Sequence, residues 1–192
     1  MKDIKRALKN GELTIGSWVT MPNAITLEMM CNSKFDWLAI DLEHSSISIE
    51  SAQDLIRIIR LHDIFPFVRL TSNDPDQIKR VMDAGALGII VPMVKSAEDV
   101  TKAIDSIYYA NKGKRSVGLA RAQDYGRNLS GYIKDLEKNA VLIVQIEHID
   151  AVNSLEEIFS IENLDGYFIG PIDLSASMGM PGEIESKEVK KV

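Results

Sequence analysis

Side chains that can do chemistry follow or end four short apolar segments of this sequence. In chain order they are Asp41, Glu43 and His44, then Arg69, then Gln145 and Glu147, and lastly Asp173. Carboxylates with no cysteine beside them suit a hard divalent cation such as Mg²⁺ or Mn²⁺. An arginine offers a fork of donors to a carboxylate or a developing enolate, and a histidine can move a proton near neutral pH. The set indicates enolate chemistry on a 2-oxo acid.

The carboxylates and the histidine of this set have expected roles. Glu147 and Asp173 are predicted to lie at the ends of successive strands, so we expect their carboxylates to meet at one metal ion that keeps open positions for water and substrate. His44 is the expected acid and base. Either Asp41 or Glu43 is expected to orient its ring.

Four other reactive side chains have a simpler structural interpretation. His148 is adjacent to Glu147 and should point to the opposite face of its strand, while His62 ends a predicted helix, where a cation is favourable. Cys31 is expected to pack in the core. Lys95 follows the fourth apolar segment and could form a Schiff base with a keto acid, although a solvated lysine ahead of a helix is the favoured interpretation.

The elements that must position these residues alternate along the chain. Short segments rich in Ile, Val and Phe, apolar on both faces as in covered parallel strands, alternate with stretches of helical period. The predicted strands are Thr14–Val19, Trp37–Ile40, Phe65–Leu70, Gly88–Val94, Val141–Ile146 and Gly166–Ile169. Helix signals stand between them, such as Asp74-Pro75 before a helix that Gly85 closes, and a capping box from Ser96 to Asp99.

About six βα units allow either a doubly wound sheet or a (β/α)₈ barrel. The sequence has neither the glycine-rich fingerprint of dinucleotide-binding folds nor a Walker A motif. Charged residues instead gather at the carboxyl ends of several strands, which is where barrels of this kind build their active sites. We therefore expect an α/β fold of the TIM-barrel type, forming one domain over residues 1–192.

Composition excludes some classes of function. The 192 residues carry a net charge of −6, which argues against a nucleic-acid-binding surface. With a single cysteine the chain can form no intramolecular disulfide, as is typical of a reducing compartment. No apolar segment is long enough for a membrane span, and the first residues lack a signal-peptide core. We expect a cytoplasmic protein without a membrane partner.

Seven motifs, in order over nearly the whole chain, resemble the HpcH/HpaI family of class II, metal-dependent 2-oxo-acid aldolases. They are Gly16-Ser-Trp18, FDWLAIDLEHS (Phe35–Ser45), FVRL (Phe67–Leu70), NDPDQIKRVMDAGALGIIVPMV (Asn73–Val94), RSVGLARA (Arg115–Ala122), VQIEH (Val144–His148) and GPIDLS (Gly170–Ser175). Each motif alone is weak, but their combination and order are specific. The resemblance implies a TIM barrel that cleaves a 4-hydroxy-2-oxo acid, of the 4-hydroxy-2-oxoheptanedioate or 2-keto-3-deoxy-sugar-acid type, to pyruvate and an aldehyde.

The resemblance also implies roles for individual residues. Glu147 and Asp173 would bind Mg²⁺, Mn²⁺ or Co²⁺, which pyruvate would chelate, and Arg69 would sit beside the keto or enolate oxygen. His44, oriented by Asp41, would act as acid and base. The remaining substrate contacts would come from Gln145, Ile172 and Asp173 at pyruvate and from Asp83 near the aldehyde. A homo-oligomer is expected.

One feature departs from the family pattern, and it keeps other functions open. Barrels of this type need about 250 residues, whereas six strands can be found here, so the domain is expected to be truncated at its C-terminus relative to the family. A lyase of the citrate-lyase β or malyl-CoA-lyase type would use similar carboxylates and magnesium. A Schiff-base aldolase acting through Lys95 and a non-catalytic interaction subunit are further alternatives.

Overall fold

The protein contains one six-stranded sheet in which every neighbouring pair of strands is parallel. The structure is a computed structural model that describes residues 1–192. Its strand order, β1-β2-β3-β4-β5-β6, follows the chain. The strands are β1 (Gly16–Val19), β2 (Trp37–Asp41), β3 (Phe65–Arg69), β4 (Gly88–Val91), β5 (Val141–Ile146) and β6 (Gly166–Ile169). This curled half-barrel of about six βα units confirms the predicted TIM-like α/β fold.

Ten α-helices accompany the strands, and most lie between successive strands. They are α1 (Ile4–Lys9), α2 (Ala24–Cys31), α3 (Ile49–Leu61), α4 (Pro75–Ala84), α5 (Ala97–Ile107), α6 (Leu129–Asn139), α7 (Ile149–Asn153), α8 (Leu155–Phe159), α9 (Pro171–Ser177) and α10 (Lys187–Lys191). A short 3₁₀ helix at Arg121–Gln123 precedes α6. None of these helices has the length and apolar composition that crossing a membrane requires.

The helix signals in the sequence correspond to observed helix ends. Asp74 caps α4 by accepting from the backbone N–H of Asp76, and Gly85 ends that helix in the left-handed conformation at φ 107°. Ser96 caps α5 by accepting from the N–H of Asp99. The return bond of the expected capping box is displaced by one residue, since the Asp99 carboxylate accepts from the N–H of Lys95.

Two hydrophobic cores lie on the two faces of the sheet. The outer core, between the sheet and its helices, contains 36 buried residues, and Cys31 is among them, as expected. The inner core lies on the concave face and contains Ile4, Ala39, Phe65, Phe67, Ile90 and Val141. Helix α1 contributes Ile4 to this inner core. In β4, a Cβ atom at Gly88 would lie 2.4 Å from the Phe67 ring, so position 88 needs a glycine.

The two edge strands face each other across the concave side. The Trp18 ring of β1 and the Phe168 ring of β6 meet edge-to-face, with centroids 6.2 Å apart. Because these strands are at opposite edges of the sheet, the contact requires the sheet to curl strongly. Inward-pointing side chains at the carboxyl ends of the strands therefore converge on one hollow.

We expect Phe67→Ala to lower the free energy of unfolding by about 3 to 4 kcal/mol, as for other aromatic truncations in cores. The Phe67 ring is 4% exposed and packs on Phe65 and Trp37, with centroids 4.9 and 5.8 Å away. Urea unfolding followed by circular dichroism would measure the change. Phe159→Ala is the control, because Phe159 is 43% exposed, and it should cost less than about 1 kcal/mol. Equal losses of unfolding free energy in the two variants would contradict the packing of Phe67 in the inner core.

Candidate active site

Strand alternation brings most of the candidate residues to the concave face. In β2 and β3, Ala39 and Phe67 belong to the inner core, so Asp41 and Arg69, each two residues further on, also point inward. In β5, Val141 belongs to the inner core and points inward. By the same alternation Gln145 also points inward, and so does Glu147, which comes just after the end of the strand. The expected convergence of these side chains at the carboxyl ends of the strands follows from this register.

The centre of the site is a two-pronged ion pair between adjacent strands. Asp41 and Arg69 are directly paired in the β2–β3 register. Arg69 Nε donates to Asp41 Oδ1 at 2.9 Å, and Nη2 donates to Oδ2 at 2.6 Å. Asp41 Oδ1 also accepts from the backbone N–H groups of Glu43 and His44, at 3.0 and 3.2 Å. The pair therefore fixes the start of the turn that follows β2 as well as the arginine.

Electrostatics within the pair favour both charged forms. Burial alone would raise the pKa of Asp41, but the hydrogen bond from Arg69, the backbone bonds and the charge of Arg69 lower it below its ordinary value of 3.8. Burial would likewise lower the pKa of Arg69, whereas Asp41, Glu43 and Glu147 raise it. Arg69 is therefore a permanent cation at the carboxyl edge of the sheet.

Two further contacts fix the Arg69 guanidinium. Its Cζ lies 4.4 Å from the centroid of the Trp18 ring, over the ring face, and its Nε lies 3.4 Å from Glu43 Oε2. Within the chain Nη1 has no hydrogen-bond partner. The arginine is therefore rigid and keeps one donor group free for an oxygen atom from outside the protein.

Glu147 is buried and held by two donors. Its Oε1 accepts from the backbone N–H of Met93 at 2.7 Å, and its Oε2 accepts from Gln145 Nε2 at 2.7 Å. Met93 is a non-glycine residue with φ 53°, and such a conformation is costly unless the surroundings enforce it. Gln145 Oε1 is buried without any partner. A cluster with a strained donor and an unpaired oxygen is typical of a functional site.

Gly170 lets the Glu147 carboxylate approach β6. A Cβ atom at Gly170 would lie 2.5 Å from Glu147 Oε2 and 2.8 Å from its Cβ. Gly170 has φ −99°, so its backbone does not itself require glycine, and the need is for space. In the sequence, Trp18, Met93 and Gly170 stand only within motifs, and no role was predicted for any of them.

Asp173 lies in the first turn of α9 rather than at the end of a strand. This corrects the expectation that Glu147 and Asp173 both end strands, because β6 stops at Ile169 and Pro171 begins a helix. Asp173 and its neighbour Ile172 are exposed. No three carboxylate, imidazole or thiol groups form a metal-binding cluster. The oxygen-only donors Glu147, Asp173 and Gln145 Oε1 nevertheless fit a hard cation that completes its shell with water or substrate.

His44 is close to Glu43 and not to the Asp41 carboxylate. Its side chain is 67% exposed, and its Nε2 lies 3.7 Å from Glu43 Oε2. The bond from His44 to Asp41 is made by the backbone N–H. Of the two carboxylates expected to orient the imidazole ring, Glu43 is the one that lies beside it.

Asp83 is not brought to the other candidates. It is the penultimate residue of α4, which leads into the start of β4, so it lies at the amino-terminal edge of the sheet. Its carboxylate accepts a hydrogen bond from Arg115, whose side chain is completely buried, and lies 3.5 Å from Gln123 Nε2. Asp83 thus supplies the counter-charge that a buried arginine needs, and its expected place near the aldehyde stays a prediction.

The other histidines make structural contacts, and Lys95 lies ahead of a helix. The ring of His148 caps α7 by accepting from the N–H of Asp150 at 3.1 Å, and His62 is the C-cap residue of α3. Lys95 precedes α5, and its ammonium group makes no ion pair with the strand-end carboxylates.

A curled parallel sheet with an arginine and several acids at the carboxyl ends of its strands defines an α/β enzyme of the barrel type. The chain belongs to the HpcH/HpaI aldolase/citrate lyase family, whose model matches residues 14–192. It is thus a lyase of the aldolase type.

Similar proteins agree with this assignment. The chain is 38% identical to a pyruvate aldolase of Rhizobium etli over 96% of its own length and 73% of that protein. It is 37% identical to a 4-hydroxy-2-oxo-heptane-1,7-dioate aldolase of Salmonella heidelberg, over 97% of this chain and 71% of that protein. A solved HpcH/HpaI aldolase/citrate lyase family protein from Burkholderia cenocepacia superimposes with a TM-score of 0.91 at 27% identity, covering 100% of this chain and 77% of that one.

We expect Asp41→Asn to destabilise the protein by about 3 kcal/mol at pH 7, since it leaves Arg69 without its partner. The folded-state pKa of Asp41 is lowered, so its stabilisation is present above about pH 4 and is lost as the pH falls through the folded-state pKa. The difference between wild type and variant should therefore shrink from pH 7 to pH 3 in urea unfolding.

The control for this experiment is Asp54→Asn. Asp54 pairs with Arg57 on the surface, where its side chain is 64% exposed. Its removal should change the free energy of unfolding by less than about 0.5 kcal/mol. A cost for Asp41→Asn that stays constant between pH 7 and pH 3 would refute the linkage.

Proposed function

We propose that the protein is a metal-dependent aldolase that reversibly cleaves a 4-hydroxy-2-oxo acid to pyruvate and an aldehyde. The observation that carries the proposal is the arrangement of a rigid Arg69, with a free Nη1, on the same concave face as a buried Glu147 beside the unpaired Gln145 Oε1. Glu147 contributes to the raised pKa of Arg69, so the two groups share one electrostatic environment.

The oxygen donors would hold Mg²⁺, Mn²⁺ or Co²⁺. Glu147 and Asp173 are the protein ligands in this proposal, and their oxygen chemistry suits such hard cations. A bound divalent cation would supply Lewis-acid polarisation of the 2-oxo acid. Met93 and Gln145 hold the Glu147 carboxylate in place by their hydrogen bonds, which corresponds to the supporting role of residues around metal ligands.

Arg69 would bind the 2-oxo oxygen through Nη1 and stabilise the negative charge that develops on it. Asp41, Trp18 and Glu43 already fix the guanidinium, so little reorganisation is needed when that charge appears. Gln145 and the backbone around Ile172 and Asp173 would hold the substrate carboxylate. These contacts are all to the pyruvate half of the substrate, so they do not identify the aldehyde.

His44 would move the proton in the reaction. In the cleavage direction it takes the proton of the C4 hydroxyl, the C3–C4 bond breaks to give the aldehyde, and the electron pair passes into the enolate of pyruvate. Protonation of C3 then gives the pyruvate methyl group. The ring of His44 is exposed and lies 3.7 Å from Glu43, and its exposure would allow it to exchange protons with water between turnovers.

We expect the protein, with Mn²⁺ or Mg²⁺, to catalyse exchange of the pyruvate methyl protons with D₂O. This half-reaction needs only enolate formation and no knowledge of the aldehyde. Glu147→Gln should lower the exchange rate by about 100-fold or more, because several kcal/mol of charge stabilisation depend on the cation. Proton NMR of pyruvate, recorded after Mn²⁺ is removed, measures the rate.

The controls separate the other mechanisms. Exchange that survives EDTA and is trapped by borohydride on Lys95 would instead support a Schiff-base aldolase. Exchange only with a coenzyme A ester would favour a lyase of the malyl-CoA type. Folded protein that shows no exchange and no Mn²⁺ binding would overturn the proposal in favour of a non-catalytic role.

We expect Gly170→Ala to weaken Mn²⁺ binding by about 10-fold or more. The added methyl group would occupy the space of the Glu147 carboxylate, and displacement of a metal ligand or its support typically costs 10- to 100-fold in affinity. Electron paramagnetic resonance of free Mn²⁺ would give the affinity. Gly118→Ala is the matched control, since a Cβ atom there makes only an ordinary contact, 3.7 Å from Asp83, and unchanged affinity in both variants would argue against Glu147 as a ligand.

A further inference from the structure

A cavity of about 630 Å³ lies at the amino-terminal edge of the sheet, opposite to the candidate active site. Its lining includes Phe65, the first residue of β3, and Leu87 and Ala140, which immediately precede β4 and β5. Its floor is apolar, since Phe65 and Ile4 belong to the inner core. A cavity of this size is within the range of small-molecule sites, and the proposed reaction does not use it.

Two arginines without a carboxylate partner lie on one wall of this cavity. Arg60 is the penultimate residue of α3, and Arg121 begins the 3₁₀ helix. Neither is among the arginines that form ion pairs. The only hydrogen bond of the Arg121 side chain runs from Nη1 to the Ala84 carbonyl, at 2.9 Å. The two guanidinium groups therefore have donors available for a ligand.

We propose that this cavity binds a small-molecule oxyanion, a phosphate or carboxylate group carried on an apolar body. Arg60 and Arg121 would hold the oxyanion by charge-assisted hydrogen bonds, for which the fork of guanidinium donors is well suited. The apolar body would lie on the floor formed by Phe65 and Leu87. The site is separate from the one that carries the proposed function, and it does not depend on that function.

Arg121 is held in position before any ligand arrives. A Cβ atom at Gly85 would lie 2.3 Å from Arg121 Nη1, so the glycine leaves the space in which the guanidinium reaches the carbonyl end of α4. The Ala84 carbonyl anchors Nη1, while Nε and Nη2 have no partner in the chain. A half-buried arginine that is anchored at one nitrogen loses less freedom when its other donors bind an oxyanion.

The charges around Arg121 also favour an anion. Burial and the positive charges of Arg60 and Arg57 lower the pKa of Arg121. Asp124 and Asp135 line the same cavity, but both are exposed and neither forms an ion pair with an arginine. The chain therefore places like charges near one another without a counter-charge, and an oxyanion between Arg60 and Arg121 would reduce their repulsion.

A strained turn presents an aromatic ring beside the arginines. Asp124 and Tyr125 have φ 52° and 54°, and Gly126 follows with φ 92°. Left-handed conformations of non-glycine residues are costly and occur often at ligand sites. The Tyr125 side chain is 63% exposed and lines the cavity, so its ring can cover the apolar body of a ligand.

Titration calorimetry with three probes, in the presence of EDTA, tests the site. We expect phenyl phosphate to bind more tightly than inorganic phosphate, because its phenyl ring buries apolar surface on the floor. Benzoate distinguishes the two oxyanions: tighter binding of phenyl phosphate assigns a phosphate ligand, and tighter binding of benzoate assigns a carboxylate. No heat of binding with any probe at millimolar concentration would overturn the proposal.

Arginine variants locate the bound probe. Arg60→Gln and Arg121→Gln should each lower the affinity for the tighter aromatic probe by about 10-fold or more, as expected for the loss of a hydrogen bond between charged groups. Arg57→Gln is the matched control, because it removes the same charge from the same helix. Arg57 pairs with Asp54 at 2.7 Å and does not line the cavity, so its loss should change the affinity by less than about 2-fold at physiological salt. Equal losses in all three variants would indicate general charge attraction and refute the site.

Further variants separate this cavity from the active site and test the sign of the ligand charge. Arg60→Gln should leave the metal-dependent pyruvate exchange unchanged, and loss of probe binding in Arg69→Gln rather than in Arg60→Gln would place the probe at the active site and reject the proposal. Asp135→Asn should not weaken binding, and a loss as large as that of Arg60→Gln would reject an oxyanion ligand. Circular dichroism checks each fold. If Arg121→Gln does not fold, the exposed Arg60 still decides the test.

Discussion

A cation at the carboxyl edge of the sheet needs a counter-charge, but it must also keep a donor free for a ligand. The pairing of Arg69 with Asp41 meets both conditions, because it leaves Nη1 without a partner. The two residues are direct neighbours in the β2–β3 register, so the fork forms without any loop having to move. Because Asp41 also accepts from the backbone of the following turn, one carboxylate fixes the arginine and the residues that carry the proposed proton chemistry. The shape of the site therefore depends on this ion pair more than on any loop.

The division between two cores explains why such a pair can exist. Outward side chains of the strands enter the large core beneath the helices, and the inward side chains near the amino ends enter the small aromatic core that includes Phe65 and Phe67. The same alternation, continued two residues further, replaces apolar groups by Asp41, Arg69 and Gln145. The floor of the hollow is thus apolar, its rim is charged, and burial at the floor strengthens the electrostatic interactions above it.

Sequence reasoning predicted the parts of the fold that depend on local pattern. The strands, the cap of α4 at Asp74 and the inward direction of Glu147 all follow from periodicity and helix signals, and the barrel type follows from acids at several strand ends. Contacts between residues that are distant in the sequence could not be predicted in this way. Nothing local indicates that Met93 donates to Glu147, that Trp18 stacks on Arg69, or that Asp83 faces a buried arginine, because each contact depends on how separate βα units pack.

Arg115 and Arg69 show how similar contacts can serve structure in one place and the proposed function in another. Arg115 is completely enclosed, stacks on Tyr109 at 4.8 Å, and uses Nη1 for the Ile107 carbonyl and the Tyr132 hydroxyl while Nη2 binds Asp83. Both terminal nitrogens of that guanidinium have partners inside the chain, and its Nε is buried without one, so the group ties helices together and presents no donor to a ligand. Arg69 has an equally good carboxylate and an aromatic platform, but its Nη1 is free and its side chain is 15% exposed. A satisfied carboxylate partner therefore does not mark an arginine as structural, and the unused donor at an accessible edge is the feature that separates the two.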